Sequence, residues 1–517
     1  MIRNISLLIL ILFIVVKSIG QQSNVTHLAG ETFSDKHKYS NMLAMEDDGE
    51  GGTLLIREYF SGVVLKPKGY IVERYDADLN LITSYTYKLK DANFLKGYIK
   101  NGQINLLFLE YNYTAQAYEY RVHRSSIAAF DFEKSVLLSI PSDPVAQPLD
   151  KKFYNRDISS GFTTSILFDE KKSAFTITTH FKKGIENKHM LYVYNTNLEL
   201  LIEHDFSDEI ATKNYAFEDV AFSEDLSQAY LVGKAYFKKK RIKAKERTFQ
   251  YELVRISKEG TSMQSFLVPN KFPEALKLSY ENGTVRCVGF YADRKSTSYN
   301  GISYFQLHPI SLAVEVEKFS PFSQQFMMDK FGKDKQQPVK DLVFKGMKIT
   351  EDGSLLFNAE EQFSNKSIQS NSSGGRLMVT RYHYNDIVSI KLRADGTMAW
   401  ARNINKTEVT QGDDAYTSYA SYTKDDDTYF FISTATEQPQ QLTKQRIMFK
   451  QGMGRNKNVF LIKLDASGDM TFKKAIDNAE VRLPLMVSKP LIDSKNNSLL
   501  FYAKRGNRKQ LVKVTVR

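Results

Sequence analysis

Apolar and polar positions alternate along most of the chain, and the alternation is broken at short intervals by Asp, Asn and Gly. Two stretches show it plainly. Residues 386–404 read DIVSIKLRADGTMAWARNI and residues 458–476 read NVFLIKLDASGDMTFKKAI. Each is an apolar run with a period of two, a polar turn and a second apolar run, which is the written form of a β-hairpin. Weaker relatives lie upstream at 69–87, 120–138, 190–206, 251–268 and 302–319, and a half-copy, 510–517, stands at the C-terminal end.

A second hairpin type precedes each of these, at 43–60, 97–111, 166–180, 220–234, 276–291, 345–360, 420–433 and 491–504. Asp48-Gly49, Asn101-Gly102, Asn282-Gly283 and Asp352-Gly353 mark its turns, because Gly and Asn tolerate positive φ. The chain therefore reads as modules of two successive hairpins, strands A–B then C–D. A four-stranded antiparallel unit repeated around a centre is a propeller blade. The expected fold is all-β: a β-propeller of eight four-stranded blades. Its competitor is a pair of β-sandwiches. Module eight lacks a fourth strand, and residues 25–33 belong to no hairpin. Pairing of 25–33 beside 510–516 would let the N-terminal strand close the last blade and hide an edge.

Composition adds a compartment. Hydrophobic residues are 42% and charged residues 25% of 517, a globular balance. Arg3 followed by the apolar run Ile5 to Val16 reads as a signal peptide over 1–20, since a membrane span needs about 20 apolar residues. The remainder, 21–517, is then a single propeller domain in the periplasm, or secreted to the extracellular space. Cys287 is the only cysteine. It sits in the alternating run TVRCVGFY and reads as a small strand residue, with no disulfide available to the chain.

Charge adds a direction. In an antiparallel A-B-C-D unit the A–B and C–D turns share one end, and the B–C and D–A connections share the other. The first set is short and carries Asp47-Asp48, Glu224-Asp225, Glu351-Asp352 and Asp425 to Asp427. The second holds all the long stretches: 141–160, 236–247, 321–340, 361–383 and 436–458. The last four contain 19 basic and 5 acidic residues. Long loops on a rigid scaffold are where binding concentrates, so the basic end is the expected contact surface for an anionic polymer or an envelope protein. The candidate binding residues are Lys238, Lys239, Lys240, Arg241 and Lys243 in one loop, and Lys444, Arg446, Lys450 and Arg455 in another.

Catalytic signatures do not accompany this surface. The sequence has no HExxH, no G-x-S-x-G, no P-loop and no G-x-G-x-x-G. Asp425 to Asp427 lacks the spacing of a calcium loop. No metal or cofactor is expected. The leading expectation is a non-enzymatic binding or scaffold propeller at the cell envelope. The alternative is a polysaccharide-acting enzyme, hydrolase or lyase, with its carboxylates contributed by different blades at the centre of the loop end.

The units IKLRADGTMAW (390–400) and IKLDASGDMTF (462–472) resemble blade repeats of exported bacterial β-propeller proteins of the Bacteroidota-like type. The resemblance implies a fold and a binding role, and carries over no catalytic residue. Eight-bladed quinoprotein dehydrogenases look similar in architecture but dock their blades with Trp-rich repeats, whereas Trp400 stands alone here.

Overall fold

The computed structural model describes residues 25–517 except 35–36, 38, 63–65, 90–91, 142–161, 184–185, 209–212, 238–247, 294–295, 297, 371–375, 413 and 453–456. The expected signal segment lies outside these residues. What is described is strand almost throughout, with one helix, α1 (Gln324–Phe331). No helix among the described residues is long and apolar enough to cross a membrane.

Every hairpin of the sequence reading forms. In the first module Tyr39–Asp47, Thr53–Ser61, Lys66–Tyr75 and Leu81–Lys88 pair in order, all antiparallel. The second and third strands are buried, while the fourth is mostly exposed. Side chains on both faces of the middle strands meet neighbouring sheets, which is why those runs are nearly continuously apolar.

Shared cores join sheet to sheet around a ring. Leu54, Ile56, Ile104 and Phe108 join the 39–88 sheet to the 92–141 sheet. Leu107, Tyr118, Phe175 and Tyr192 join the latter to the 162–205 sheet. Met45, Leu55, Leu500 and Leu511 join the first sheet to the last. Such radial closure is a β-propeller and excludes stacked sandwiches. Val25–Ala29 pairs antiparallel with the final strand, Val25 opposite Val516 and Ala29 opposite Val512, so the N-terminal strand completes the closing sheet.

The expectation of eight four-stranded blades is corrected. Seven sheets, not eight, have a path of four strands, one of them with Phe33–Ser34 added at its edge. The remaining sheet has seven strands. Its strands Leu355–Ser370 and Arg376–Leu392 run 16 and 17 residues, well beyond blade length. Val409–Thr410 pairs with their overhang. The hairpin Gln440–Thr443 and Arg446–Lys450 folds back so that Met448 to Lys450 lies parallel to Asn405 to Thr407. Stretches 361–383 and 436–458 read as loops because they are polar, but the ladder there is made by backbone groups and needs no apolar alternation.

The first strands of five sheets each carry a bulge at the same place: Met42/Ala44, Phe94/Lys96, Phe217/Asp219, Pro273/Ala275 and Phe344/Gly346. Gly233 and Gly289 lie opposite two of them, where a Cβ would come within 2.4 Å of the Ala216 carbonyl oxygen and 1.6 Å of that of Ala275. A bulge bends its strand and re-aims its side chains, and here it does so next to the ring axis. Cys287 is buried in the core opposite Leu278, and burial raises its thiol pKa.

Candidate functional site

The two ends of the ring are built differently. At the end holding the A–B and C–D turns, no connection exceeds six residues, the longest being those such as Ser126 to Glu133. Its carboxylates cap their own turns. Asp76 accepts the backbone N–H groups of Asp78 and Asn80 at 2.9 and 2.8 Å. Asp352 accepts from Thr350 Oγ1 at 2.6 Å and from the Ser354 N–H at 3.0 Å. Asp225 takes the Ser223 and Ser227 hydroxyls. These bonds hold Asp225 and Asp352 down to about 2. The acidity of this end is thus turn chemistry.

Other turns of this end receive the preceding sheet. Tyr98 donates to the Thr196 carbonyl at 3.1 Å, Tyr230 to that of Pro309 at 3.0 Å, and Trp400 Nε1 to that of Ala466 at 3.0 Å. Gly468, at φ 85°, lies where a Cβ would stand 2.9 Å from the Trp400 ring. The lone Trp is a joint between sheets.

At the opposite end three additions gather over the seven-stranded sheet: α1, the overhanging ribbon, and the 440–450 hairpin. Ser323 caps α1 by accepting the Phe326 N–H, and Gly332 ends it with φ 69°. Arg446 reaches back to the C-terminal end of α1, donating from Nε to the Asp329 carbonyl at 2.9 Å and also bonding the Lys330 carbonyl. Asp329 Oδ2 receives Arg402 Nε at 2.6 Å. Lys330 Nζ lies 2.7 Å from Glu361 and 2.8 Å from Asp386. Burial alone would lower the Lys330 pKa, but Asp386 and Glu361 outweigh it and hold the ammonium above its ordinary value.

Beneath them Lys406 is fully buried between Glu360 and Glu408, 2.8 Å from each, and donates to the Tyr384 carbonyl at 2.7 Å. Ser418 binds both acids, its Oγ to Glu360 and its N–H to Glu408, each at 2.6 Å. Burial raises the Glu408 carboxyl despite Lys406. These pairs lock the additions onto the ring.

The sequence-predicted contact residues separate accordingly. Lys238, Lys239, Lys240, Arg241, Lys243 and Arg455 lie outside the described residues. Lys444 and Lys450 are exposed on the folded-back hairpin. Arg446 is committed to α1. Sequence reasoning missed the helix-capping role of Arg446, for which nothing local gave a signal, since its partners lie more than a hundred residues away.

Two further features belong to the ring itself. The turn after Phe168 reaches toward the axis: Lys172 pairs at 2.6 Å with Glu46, on the innermost strand two sheets away. On that turn Glu170 is pushed up to about 7, by the surrounding protein first and then by Asp219, against the opposing Lys277. Asp219, on the next innermost strand, accepts the Leu278 N–H at 3.0 Å.

The second feature is a cleft of about 510 Å³ between the 162–205 and 213–265 sheets, in their loop-end halves. Ser165, Thr178, His180 and His189 line it from one face of the 162–205 sheet, and Tyr215 and Phe217 from the next sheet. A run of rings crosses between the two sheets, from the stacked pair His180 and His189, 3.9 Å apart, through Phe206 and Phe217 to Tyr215. In the sequence these rings are scattered strand residues, so nothing announced their convergence.

No family profile and no curated protein matches this chain. Among solved structures it is similar to the β-propeller domain of the trilobed protease from Pyrococcus furiosus (10% identity, 86% of this chain and 99% of that one, TM-score 0.37). It is also similar to the polysaccharide lyase Uly1 (9% identity, 95% and 99%, TM-score 0.37) and to an α-L-arabinanase from Penicillium chrysogenum (11% identity, 65% and 94%, TM-score 0.31). At such scores these likenesses carry no argument about activity.

Proposed function

We propose that this chain is an exported, non-enzymatic β-propeller whose loop end binds an anionic macromolecule or protein partner at the cell envelope. Residues 1–20 serve as the export signal and 21–517 as one binding unit. The observation that carries the reading is the asymmetry of the ring. All the added structure stands at one end and is held there by internal ion pairs, which is how a rigid scaffold presents a contact surface. Lys366, Arg376, Lys444 and Lys450 are exposed on the ribbon and hairpin of that end, and the basic stretch 238–247 joins strands that emerge there. The pairing also disfavours a polysaccharide-cleaving reading, because Glu360, Glu361, Asp386 and Glu408 each hold a lysine, whereas glycoside hydrolysis needs two carboxyl groups available to substrate.

The test is binding to heparin and dextran sulfate across salt concentration. Affinity should fall steeply between about 50 and about 200 mM salt as counterions displace Lys and Arg contacts. Replacing Lys238, Lys239, Lys240 and Arg241 together by Ser should weaken binding by roughly tenfold or more at low salt, with the melting temperature unchanged. Salt-insensitive binding, or an unaffected variant, overturns the reading.

A further inference from the structure

We propose that the cleft between the 505–508 turn and the 478–483 segment is a binding subsite for a phosphate monoester. It stands at the loop end, on the sheet that closes the ring, and shares no residue with the basic stretches 238–247 and 440–450. Its volume, about 450 Å³, lies within the roughly 300–1,000 Å³ of small-molecule sites.

The lining names the ligand class. Arg482, Arg505 and Arg508 line the cleft together with Asn478, Ala479 and Leu483. Arg505 and Arg508 are directly opposite each other where strands Ser498–Arg505 and Arg508–Val516 meet. Like charges in that relation destabilise a ladder, and an anion held between the two side chains would relieve the repulsion. Arg505 is already engaged, but among the described residues Arg482 and Arg508 have no ion-pair partner. The acids of the same segment are committed. Asp477 lies 2.9 Å from Lys474 Nζ and accepts the Ala479 N–H at 2.9 Å. Glu480 accepts the Asp477 N–H at 3.1 Å and lies 3.7 Å from His27. A carboxylate or a sulfate ester brings a single charge. A phosphate monoester brings about −1.5 to −2 near neutral pH and three acceptor oxygens. Guanidinium forks bind such oxygens in pairs, so this group answers more than one unpaired arginine.

The walls are also preorganised. The Lys504 N–H donates to the Pro484 carbonyl at 3.2 Å and the Met486 N–H to that of Tyr502 at 2.8 Å, while Leu485 bridges Ala503. These bonds fix the 478–486 segment against the hairpin. Val481 and Leu483 are buried in the core, and Arg482 between them is exposed. Asn478 is pinned by its N–H and Nδ2, which donate to Asn458 Oδ1 at 3.0 and 3.2 Å. Anchored backbone on both sides limits the ordering cost of binding.

The experiment titrates the full chain with glucose 6-phosphate by calorimetry. Glucose 6-sulfate and glucuronate serve as the singly charged arms. Glucose 6-phosphate should bind with a Kd at or below about 1 mM at low salt and neutral pH, and about fivefold or more tighter than either singly charged sugar. Its affinity should fall below about pH 6, where the phosphate takes up its second proton. Arg482→Gln and Arg508→Gln should each weaken binding by about tenfold, with the melting temperature of the free chain unchanged. Arg482→Lys keeps the charge without the fork and should fall between. If Arg508→Gln fails to fold, exposed Arg482 still supplies the test. The variant with Lys238, Lys239, Lys240 and Arg241 replaced by Ser should bind glucose 6-phosphate as the natural chain does, which separates this cleft from the polyanion surface. Absence of glucose 6-phosphate binding, equal binding by Arg482→Gln, equal or tighter binding of glucose 6-sulfate or glucuronate, or loss of binding in the 238–241 variant overturns the proposal.

Discussion

At one end of the ring Asp76, Asp225, Asp352 and Asp465 accept N–H and O–H groups from their own turns and stand in water. At the other end Glu360, Glu408 and Asp386 are buried and face lysines. The residue chemistry is similar, but the energetic consequences differ. A turn carboxylate in water keeps most of its hydration and gains a local constraint. A buried carboxylate has lost its hydration and depends on its partner, so the pair fixes geometry more than it adds stability. The short-turn end is repeated from sheet to sheet and belongs to the fold. The loop end is made once, over one sheet, and its ionic links cannot be loosened singly.

The largest effect should therefore come from Lys406. Lys406→Met removes the only ammonium within 2.8 Å of both Glu360 and Glu408 and leaves two carboxylates facing each other in the interior. We expect a loss of about 3–5 kcal/mol in denaturant unfolding. Asp352→Asn at the opposite end should lose far less, because its environment is aqueous. Equal losses would break the comparison between the ends.

A smaller effect tests the joints at the short-turn end. The Tyr230 hydroxyl lies 2.8 Å from Gln228 Oε1 and 3.0 Å from the Pro309 carbonyl oxygen and shares its one hydrogen between them, tying one sheet to the next. Tyr230→Phe keeps the ring and removes the hydroxyl, and should cost about 1 kcal/mol, read as a shift of the denaturation midpoint at constant slope. A neutral substitution would mean that apolar contact alone aligns the sheets.

These two tests also mark what was legible beforehand. The hairpins, their order and the strand closing the ring followed from alternation and turn residues, because each buried strand must satisfy both patterns locally. The seven-stranded sheet did not. Residues 361–370 are polar and partly exposed, and their ladder with 376–385 is written in backbone groups that sequence leaves uniform. Trp400 is unrepeated in the sequence, yet its role recurs with Tyr98 and Tyr230 at other joints between sheets. Any large ring with an N–H or O–H at its rim can serve there, so the joint has no single-letter signature. Of the candidate contact residues, Arg446 shows the limit most directly: basic character is visible in sequence, but whether it meets solvent or a helix end is decided by chain more than a hundred residues away.

The smallest effect concerns a carboxylate at the short-turn end whose shift runs opposite to that of Asp225 and Asp352. Asp225 and Asp352 are lowered by their own turns, whereas Glu170 is raised to about 7 from an ordinary 4.5. Its turn reaches toward the axis, where neighbouring protein crowds the carboxylate without covering it and Asp219 repels its charge. A carboxyl whose folded pKa is raised holds its proton more tightly in the folded state. Its contribution is fully present below the unfolded pKa, near 4.5, and is lost as pH rises to about 7. Gln at this position stays neutral at all pH. The Glu170→Gln variant should therefore match the natural chain in stability near pH 4.5 and exceed it above pH 7, with the gap opening between those values. Because Glu170 is exposed, the gap should be modest, and melting curves of the two chains at pH 5, 6, 7 and 8 would resolve it. A constant difference across that range would show that Glu170 titrates like its neighbours, and the axis would then be electrostatically no different from the rim.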